Sequence, residues 1–282
     1  MSIPELDRAA VAAIVDAALA EDLGTGGDIT SKSTVPANAR LKLAMNARQD
    51  IVVCGMPVAE AVVKKLDPKA KFTIEKPDGS RVEKGTRLAT IEGDARALLT
   101  AERTALNIVQ FLSAISTLTR QYADRIEGTG CTLLDIRKTV PGLRVLSKYA
   151  TRVGGATNHR MRLDDGVLIK DNHLVVGGGL EEVIRKAKAG TDKQVQVECD
   201  TLEQVEAALA AGADRILLDN METPMLKKAV EIVKGRVPLE ASGGVTLENV
   251  CERAMTGVDF VSTGKITQSA GGVDIGMDLI ED

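Results

Sequence analysis

The sequence predicts an α/β protein in two parts: a small antiparallel sheet with helices, then a parallel barrel. Three observations carry this. From Cys131 onward, short apolar runs alternate with helical segments, the pattern of a parallel sheet with right-handed crossovers. Each apolar run stops at a polar or Gly-rich signature, as strands do at a barrel's active-site mouth. Aromatics are scarce, with no Trp, 2 Tyr and 3 Phe, so Ala, Val, Ile and Leu must build the core. That composition suits parallel strands covered by helices.

In order, Pro4 to Glu21 reads as a helix with Leu6, Ala10, Ala13, Ile14, Ala17 and Leu19 near one face. Pro4 suits a first turn and Gly24 a stop. EDLGTGGDIT follows as a structural turn. It lacks the Lys-Ser/Thr of a P-loop, and no clear strand precedes it. Leu41–Ala47 and Ile51–Gly55 read as strands, and Pro57–Leu66 as a helix. FTIE and RVEKGTRLATIEG supply further strands, with turns at Pro77-Asp78-Gly79 and Lys84-Gly85. A long helix spans Asp94 to Ile126, its stripe formed by Leu98, Ala101, Ala105, Ile108, Val109, Leu112 and Ile115. Arg103 lies off that stripe and by itself reads as a solvated residue.

The barrel strands read as CTLLDI, GVLIK, QVQVE, RILLD, VPLE and DFVS. Helices at Leu180–Ala189, Leu202–Ala211, Pro224–Lys234 and Leu247–Met255 connect them. No GxGxxG follows the first strand, which argues against dinucleotide binding. A barrel is favoured over an open sheet, which would concentrate such signatures at its switch point.

Charge points to a site. Asp135 to His173 holds 8 Arg or Lys and both histidines against 4 Asp, in a chain of net charge −4. A solvated basic face is the simpler reading of such a run. Against it, Asn158-His159-Arg160 and Lys170-Asp171-Asn172-His173 gather several donor types beside Gly154-Gly155. That suits an anion with several oxygens, a carboxylate or phosphate. Glu198 and Asp219, on middle strands, suit Mg²⁺ or sugar hydroxyls, and equally suit pairing with Lys138 and Lys170. Ser242-Gly243-Gly244 and Ser262-Thr263-Gly264 suit a phosphate cradle; Ser-Gly-Gly alone is equally a tight turn. No nucleophile–base pair points to covalent catalysis. The residues describe a site for a sugar phosphate plus a multiply anionic partner.

Other classes are disfavoured. The net charge leaves no footprint for nucleic acid, and no apolar run reaches the length of a membrane span. MSIPELDRAAV does not read as a signal peptide. Cys54, Cys131, Cys199 and Cys251 are widely spaced, with no CxxC, so reduced structural thiols in a cytoplasmic protein are expected and a Zn site is not.

At these residues the chain resembles the quinolinate phosphoribosyltransferases. EDLGTGGDIT, AERTALN, RKTVPGLR, KYATRVGGATNHR, LIKDNH, AGADRILLDN, EASGGVTLENV and TGVDFVSTGKITQSA carry the resemblance along nearly the whole chain. It implies an N-terminal open α/β sandwich, residues 1–110 with 273–282 returning to it, plus an incomplete (β/α) barrel of about six or seven strands at 111–272. The implied reaction joins quinolinate to 5-phosphoribosyl-1-pyrophosphate with Mg²⁺, in NAD biosynthesis. It releases nicotinate mononucleotide, pyrophosphate and CO₂. By resemblance, Arg137, His159, Arg160 and Lys170 grip the two quinolinate carboxylates. Arg103 reaches the same site from the partner of a homodimer with shared sites, which reverses the solvated reading; the resemblance also admits a hexamer of such dimers. Lys138 contacts the pyrophosphate or ribose side. Glu198 and Asp219 hold ribose hydroxyls and Mg²⁺, directly or through water. Ser242, Gly243, Gly244 and Gly264, with Ser262 and Thr263 beside it, take the 5′-phosphate.

Four positions depart from the family pattern: Ile136 for Thr, Val140 for Thr, Arg162 for Gly and Gln268 for His. Gln268 can still donate to phosphate without charge, and Lys265 stands close in sequence to compensate. Two rivals remain open: a nicotinate phosphoribosyltransferase, and a non-catalytic anion-binding paralogue. The abundance of cations argues against the first, and intact IKDNH and NHR against the second.

Overall fold

The computed structural model describes residues 5–281. Its contacts divide the chain into two compact units. One takes the chain up to Arg120, Val140–Gly155 and the residues from Ser269 onward; the other takes Gln121–Thr139 and Ala156–Gln268.

In the first unit, α1 (Arg8–Leu23) begins where Asp7 accepts from the main-chain N–H groups of Ala9 and Ala10, and ends at Gly24 with positive φ. The start expected at Pro4 lies outside the described residues. The helix buries Val11, Val15 and Leu19, while Ala13 and Ala17 are exposed, so its inner face is rotated from the one expected. Alanines fit either side of a helix, and the branched residues decide which side turns inward. The Gly-rich turn leads into a short helix that sequence reading missed, α2 (Ile29–Thr34), capped by Asp28.

β1 (Arg40–Ala47), β5 (Arg87–Asp94), β3 (Lys71–Ile74) and β12 (Ile275–Leu279) form one antiparallel sheet, ordered β12-β1-β5-β3. Contrary to a single continuous sheet, β2 (Ile51–Val52) leaves it and pairs with β4 (Arg81–Val82). Helix α3 (Met56–Leu66) is capped from a distant loop: Asp78 accepts from Gly55 N and Met56 N at 2.9 and 3.0 Å. The long helix α4 (Ala95–Arg125) buries Leu98, Ala101, Ala105, Val109, Leu112 and Ile115, six of the seven stripe residues expected. Also in this unit is α5 (Arg144–Gly154), a helix the sequence reading did not name.

In the second unit, β6 (Thr132–Leu134), β7 (Val167–Ile169), β8 (Val195–Cys199), β9 (Arg215–Asp219), β10 (Leu239–Ser242) and β11 (Phe260–Ser262) form one parallel sheet. Its order is β6-β11-β10-β9-β8-β7. The first strand in sequence lies beside the last, as in a barrel rather than a doubly wound sheet. Among the described residues no ladder joins β6 to β7, so the barrel is incomplete; a parallel bridge from Leu134 to Thr157 adds a stub to β6. Helices α7 (Leu180–Gly190), α8 (Leu202–Ala210), α9 (Thr223–Val233) and α10 (Val250–Ala254) fill the expected gaps. The short α6 (Asp171–Gly177) and α11 (Lys265–Gln268) were not expected. Both occupy stretches whose charged or Gly-flanked residues mask helical periodicity.

Candidate active site

Side chains alternate along each strand, so one face of the parallel sheet carries Leu168 and Lys170, Glu198, Leu217 and Asp219, Glu240 and Ser242, and Ser262. With Ile136, Arg137, Lys138, His159 and Arg160 they line a cleft of about 400 Å³. A second cavity of about 320 Å³ shares Ile136, Lys138, Asp219, Ser242 and Ser262 with it. It continues along Asn220, the Gly243-Gly244 loop and the segment from Thr263 to Gln268. Every expected site residue of the second unit therefore lines one cavity or both. Arg103, on α4 in the first unit, is exposed. Asp171, Asn172 and His173 are exposed and line neither cavity.

The first cavity is crowded with cations. Arg160 Nη1 donates to Gly166 O at 2.7 Å, which fixes its guanidinium. Burial, then the nearby Arg137, holds Arg160 below its usual range. The buried Nε of Arg137 finds no hydrogen-bond partner among the described residues. Two mutually repelling guanidiniums, one with an unsatisfied donor, make a ready-made place for an anion. Lys170 is ion-paired with Glu198, the internal pairing that the sequence left open.

The segment Asn158–Arg160 is fixed from below. Asp135, fully buried, accepts from Asn158 Nδ2 at 2.6 Å and from His159 N at 2.8 Å. It anchors the site rather than joining the charged mouth. His159 Nδ1 accepts from the main-chain N–H of Arg160 at 2.9 Å, and its Nε2 lies 3.4 Å from Glu240 Oε2. Glu240 is fully buried and is also paired with Arg215 at 2.7 Å and hydrogen-bonded by Gln196 at 2.7 Å. The Arg215 guanidinium stacks 3.8 Å over Phe260. Sequence reading gave Glu240 no role; a single acid ending VPLE carries no signal of a buried network.

The second cavity is shaped by backbone. Gly243 has φ +79°, and a Cβ there would stand 2.2 Å from Asn220 Oδ1 and 2.9 Å from its main-chain N, so only glycine fits. Asn220 itself has φ 53°, and its Nδ2 donates to Asp219 at 2.6 Å. Asn249 accepts from Thr246 N and donates to Gly244 O; Arg253, nearly buried, donates to Gly243 O at 3.1 Å. Thr267 donates to Lys138 O at 2.7 Å and so ties α11 to the strand end that carries Lys138. Sequence reading missed Asn220, Asn249 and Arg253, which act on the loop rather than on its contents. Gln268 and Lys265 both line this cavity.

Among the described residues no group of three or more His, Cys, Asp or Glu could hold a metal. Glu198 and Asp219, at the ends of adjacent strands on one face, supply two carboxylates. Burial raises Asp219, and Asp200 and Asp171 add to this against the pull of Lys170 and Lys138. That donor set fits Mg²⁺, which binds one or two carboxylates and takes its other ligands from water and substrate phosphates.

Comparison with known proteins places this arrangement. Residues 28–113 match the model of the quinolinate phosphoribosyl transferase N-terminal domain, and residues 115–278 that of the C-terminal domain. The chain is 43% identical to a nicotinate-nucleotide pyrophosphorylase [carboxylating] of Mycobacterium leprae, covering 93% of this chain and 94% of that one. The nicotinate-nucleotide pyrophosphorylase of Francisella tularensis superposes with a TM-score of 0.94 at 36% identity, covering 99% of each chain. That of Ehrlichia chaffeensis superposes at 0.92 with 42% identity, covering 95% and 98%. The chain belongs to the quinolinate phosphoribosyl transferase family.

Proposed function

We propose that this enzyme joins quinolinate to 5-phosphoribosyl-1-pyrophosphate, yielding nicotinate mononucleotide, pyrophosphate and CO₂ in NAD biosynthesis. The observation that carries this is the junction of two cavities: one lined by crowded guanidiniums and Glu198, the other by a Gly-rich loop, with Asp219 common to both. An acceptor with two carboxylates satisfies Arg137, Arg160 and Lys170, where a monocarboxylate leaves cations unpaired. The 5′-phosphate of the donor fills the second cavity, against Ser242, Gly243, Gly244, Ser262, Thr263, Gly264 and Gln268. Glu198 and Asp219 take the ribose hydroxyls.

The chain's own residues then carry the steps. Fixing the pyridine nitrogen opposite the anomeric carbon supplies much of the rate. As the C–O bond to pyrophosphate breaks, positive charge develops on the ribose ring and the nearby carboxylates stabilise it. Lys138 neutralises the leaving group. A bound Mg²⁺ on Glu198 and Asp219 would add positive charge for the departing diphosphate. Once N-ribosylated, the ring nitrogen is cationic. Its charge stabilises the carbanion left on the adjacent ring carbon when the ring–carboxylate bond breaks and CO₂ departs; a proton then takes the place of CO₂ on that carbon. No covalent enzyme intermediate is required.

The reading extends to a homodimer in which Arg103 completes the partner's site, and to a cytoplasmic enzyme with its four cysteines free. The test is product formation. Purified protein with the donor and Mg²⁺ receives quinolinate in one tube and nicotinate in another. Nicotinate mononucleotide, followed by mass, is expected from quinolinate alone. Product from nicotinate alone would replace the acceptor, and product from neither would leave an anion-binding protein.

A further inference from the structure

Arg253, on α10, is a buried cation with no place in the chemistry above. It is 7% exposed, and its Nη1 donates to Gly243 O at 3.1 Å and to Met221 O at 3.4 Å. Both partners are neutral carbonyls, and no carboxylate pairs with it among the described residues. Arg215, in the same unit, has Glu240 beside it. An apolar side chain would fill the place of Arg253 at lower desolvation cost, so its charge has a use other than packing.

Its position shows the use. Arg253 does not line the second cavity; it stands behind the loop that does, with Nη2 3.7 Å from where a Cβ on Gly244 would lie. Four successive carbonyls of that loop are held from outside it. Asn220 N donates to Ser242 O at 3.0 Å, and Arg253 to Gly243 O. Asn249 Nδ2 donates to Gly244 O at 2.9 Å, and Thr263 Oγ1 to Val245 O at 3.2 Å. A trans peptide is planar, so each N–H points opposite to the carbonyl before it. With its carbonyl partner turned to Arg253, the N–H of Gly244 points away from that guanidinium. The N–H groups of Gly243, Gly244 and Val245 meet no acceptor among the described residues. Consecutive free N–H groups make a place for an anion. The cations lining this cavity are Lys138, shared with the first cavity, and Lys265, which is exposed. Water screens an exposed ammonium more than a buried guanidinium.

We propose that Arg253 is a positioning residue of the phosphate loop: it holds the Gly243 carbonyl so that the N–H groups of the loop face the cavity, and its buried charge is answered across the loop by the 5′-phosphate of the donor. This rests on the phosphate-cavity reading above. Arg253 touches the loop and not the phosphate.

The test begins without turnover. Ribose 5-phosphate is titrated calorimetrically into the wild type and three variants. Arg253→Met removes both donor and charge, Arg253→Gln keeps a donor without charge, and Arg253→Lys keeps the charge. Affinity should fall roughly 10-fold or more in Arg253→Met, the scale of a mispositioned binding group, nearly as far in Arg253→Gln, and least in Arg253→Lys. Wild-type binding that Arg253→Met or Arg253→Gln leaves unchanged overturns the proposal alone. A wild type that binds no ribose 5-phosphate removes the phosphate-cavity reading, and the proposal with it. The bound phosphate gives a second signal, its ³¹P shift against pH. The free monoester takes up a proton at about pH 6. On the wild type it should keep both charges to lower pH than on Arg253→Gln, because a nearby cation favours the dianion. Coincident titrations mean that the residue only braces the loop, and refute the proposal. In turnover, Arg253→Gln should raise the donor KM roughly 10-fold or more and leave the quinolinate KM unchanged. A rise in both, or in the quinolinate KM alone, tells against a role confined to the phosphate loop.

Discussion

Glu240 is kept ionised by its neighbours, not by water. Burial pushes its carboxyl up, but the hydrogen bond from His159 and the charge of Arg215 outweigh this and hold it below the ordinary glutamate value. The sign follows: a depressed folded-state pKa contributes stability that is complete above the unfolded value of ~4.3 and is lost only as pH falls through the lower folded value. Glu240→Gln leaves the Arg215 charge buried without its counter-ion, a change that costs about 3 kcal/mol in comparable sites. Urea melts at a series of pH values should show that deficit at neutral pH and show it shrinking only on acidification below the glutamate range. A deficit that is flat with pH would mean that the pair is not ionic. Asp78 behaves in the opposite sense. Burial raises its carboxyl although Gly55 N, Met56 N and the Tyr149 hydroxyl all donate to it, so its contribution fades as pH rises. At this scale the sequence was readable wherever charge stood in the open. Arg137, Arg160 and Lys170 announced themselves as cations at strand ends, with His159 beside them, while Glu240, Arg215 and Gln196 looked like ordinary strand residues. A buried polar layer is a property of packing, and alternation along one strand does not show what the next strand places beside it.

Elements impose a second set of constraints, felt most where two backbones nearly touch. Gly243 turns β10 away from Asn220 in a space with no room for a methyl group. Gly243→Ala combines a positive φ with a collision against backbone, and the loop between Ser242 and Thr246 must move. The donor KM should rise by roughly 10- to 100-fold, with the quinolinate affinity measured by calorimetry unaltered; a donor KM within a factor of about 2 would remove this loop from phosphate binding. Gly154 shows the same logic in the first unit. A Cβ on this residue of α5 would lie 2.4 Å from Thr119 Cβ and 2.7 Å from Ser116 O on α4. Gly154→Ala should therefore destabilise by about 1–3 kcal/mol through overpacking, read as a lowered denaturation midpoint. The long helix and the six strands with their polar ends were legible because their periods are long or their stops abrupt. α2, α5, α6 and α11 were not. Two of these helices run to seven residues or fewer, α11 is a single turn of four, and α5 carries its buried residues almost all round, which leaves no apolar stripe to count.

At the scale of the whole molecule, the residue that sequence reasoning weighed both ways is Arg103. It is exposed on α4, off the buried stripe, and no hydrogen bond or ion pair holds it among the described residues. Charge at an exposed helix position is ordinary in a monomer; it gains a purpose if a second copy of the chain presents it to a dicarboxylate. Val175 and Val176, adjacent on α6, are also left 84% and 87% exposed, an apolar pair of the kind that association covers. A twofold dimer has two equivalent sites, each built from both chains. This makes a prediction that no monomeric arrangement shares. Arg103→Ala and Lys170→Ala should each abolish turnover when pure. Unfolded together and refolded as a mixture, half of the dimers combine one chain of each kind. In such a dimer one site carries both lesions and the other neither. Activity should therefore return to about a quarter of the wild-type value. Each variant alone, taken through the same refolding, supplies the control. A mixture as inactive as its components would place Arg103 and Lys170 in the same chain's site, or remove Arg103 from the site altogether.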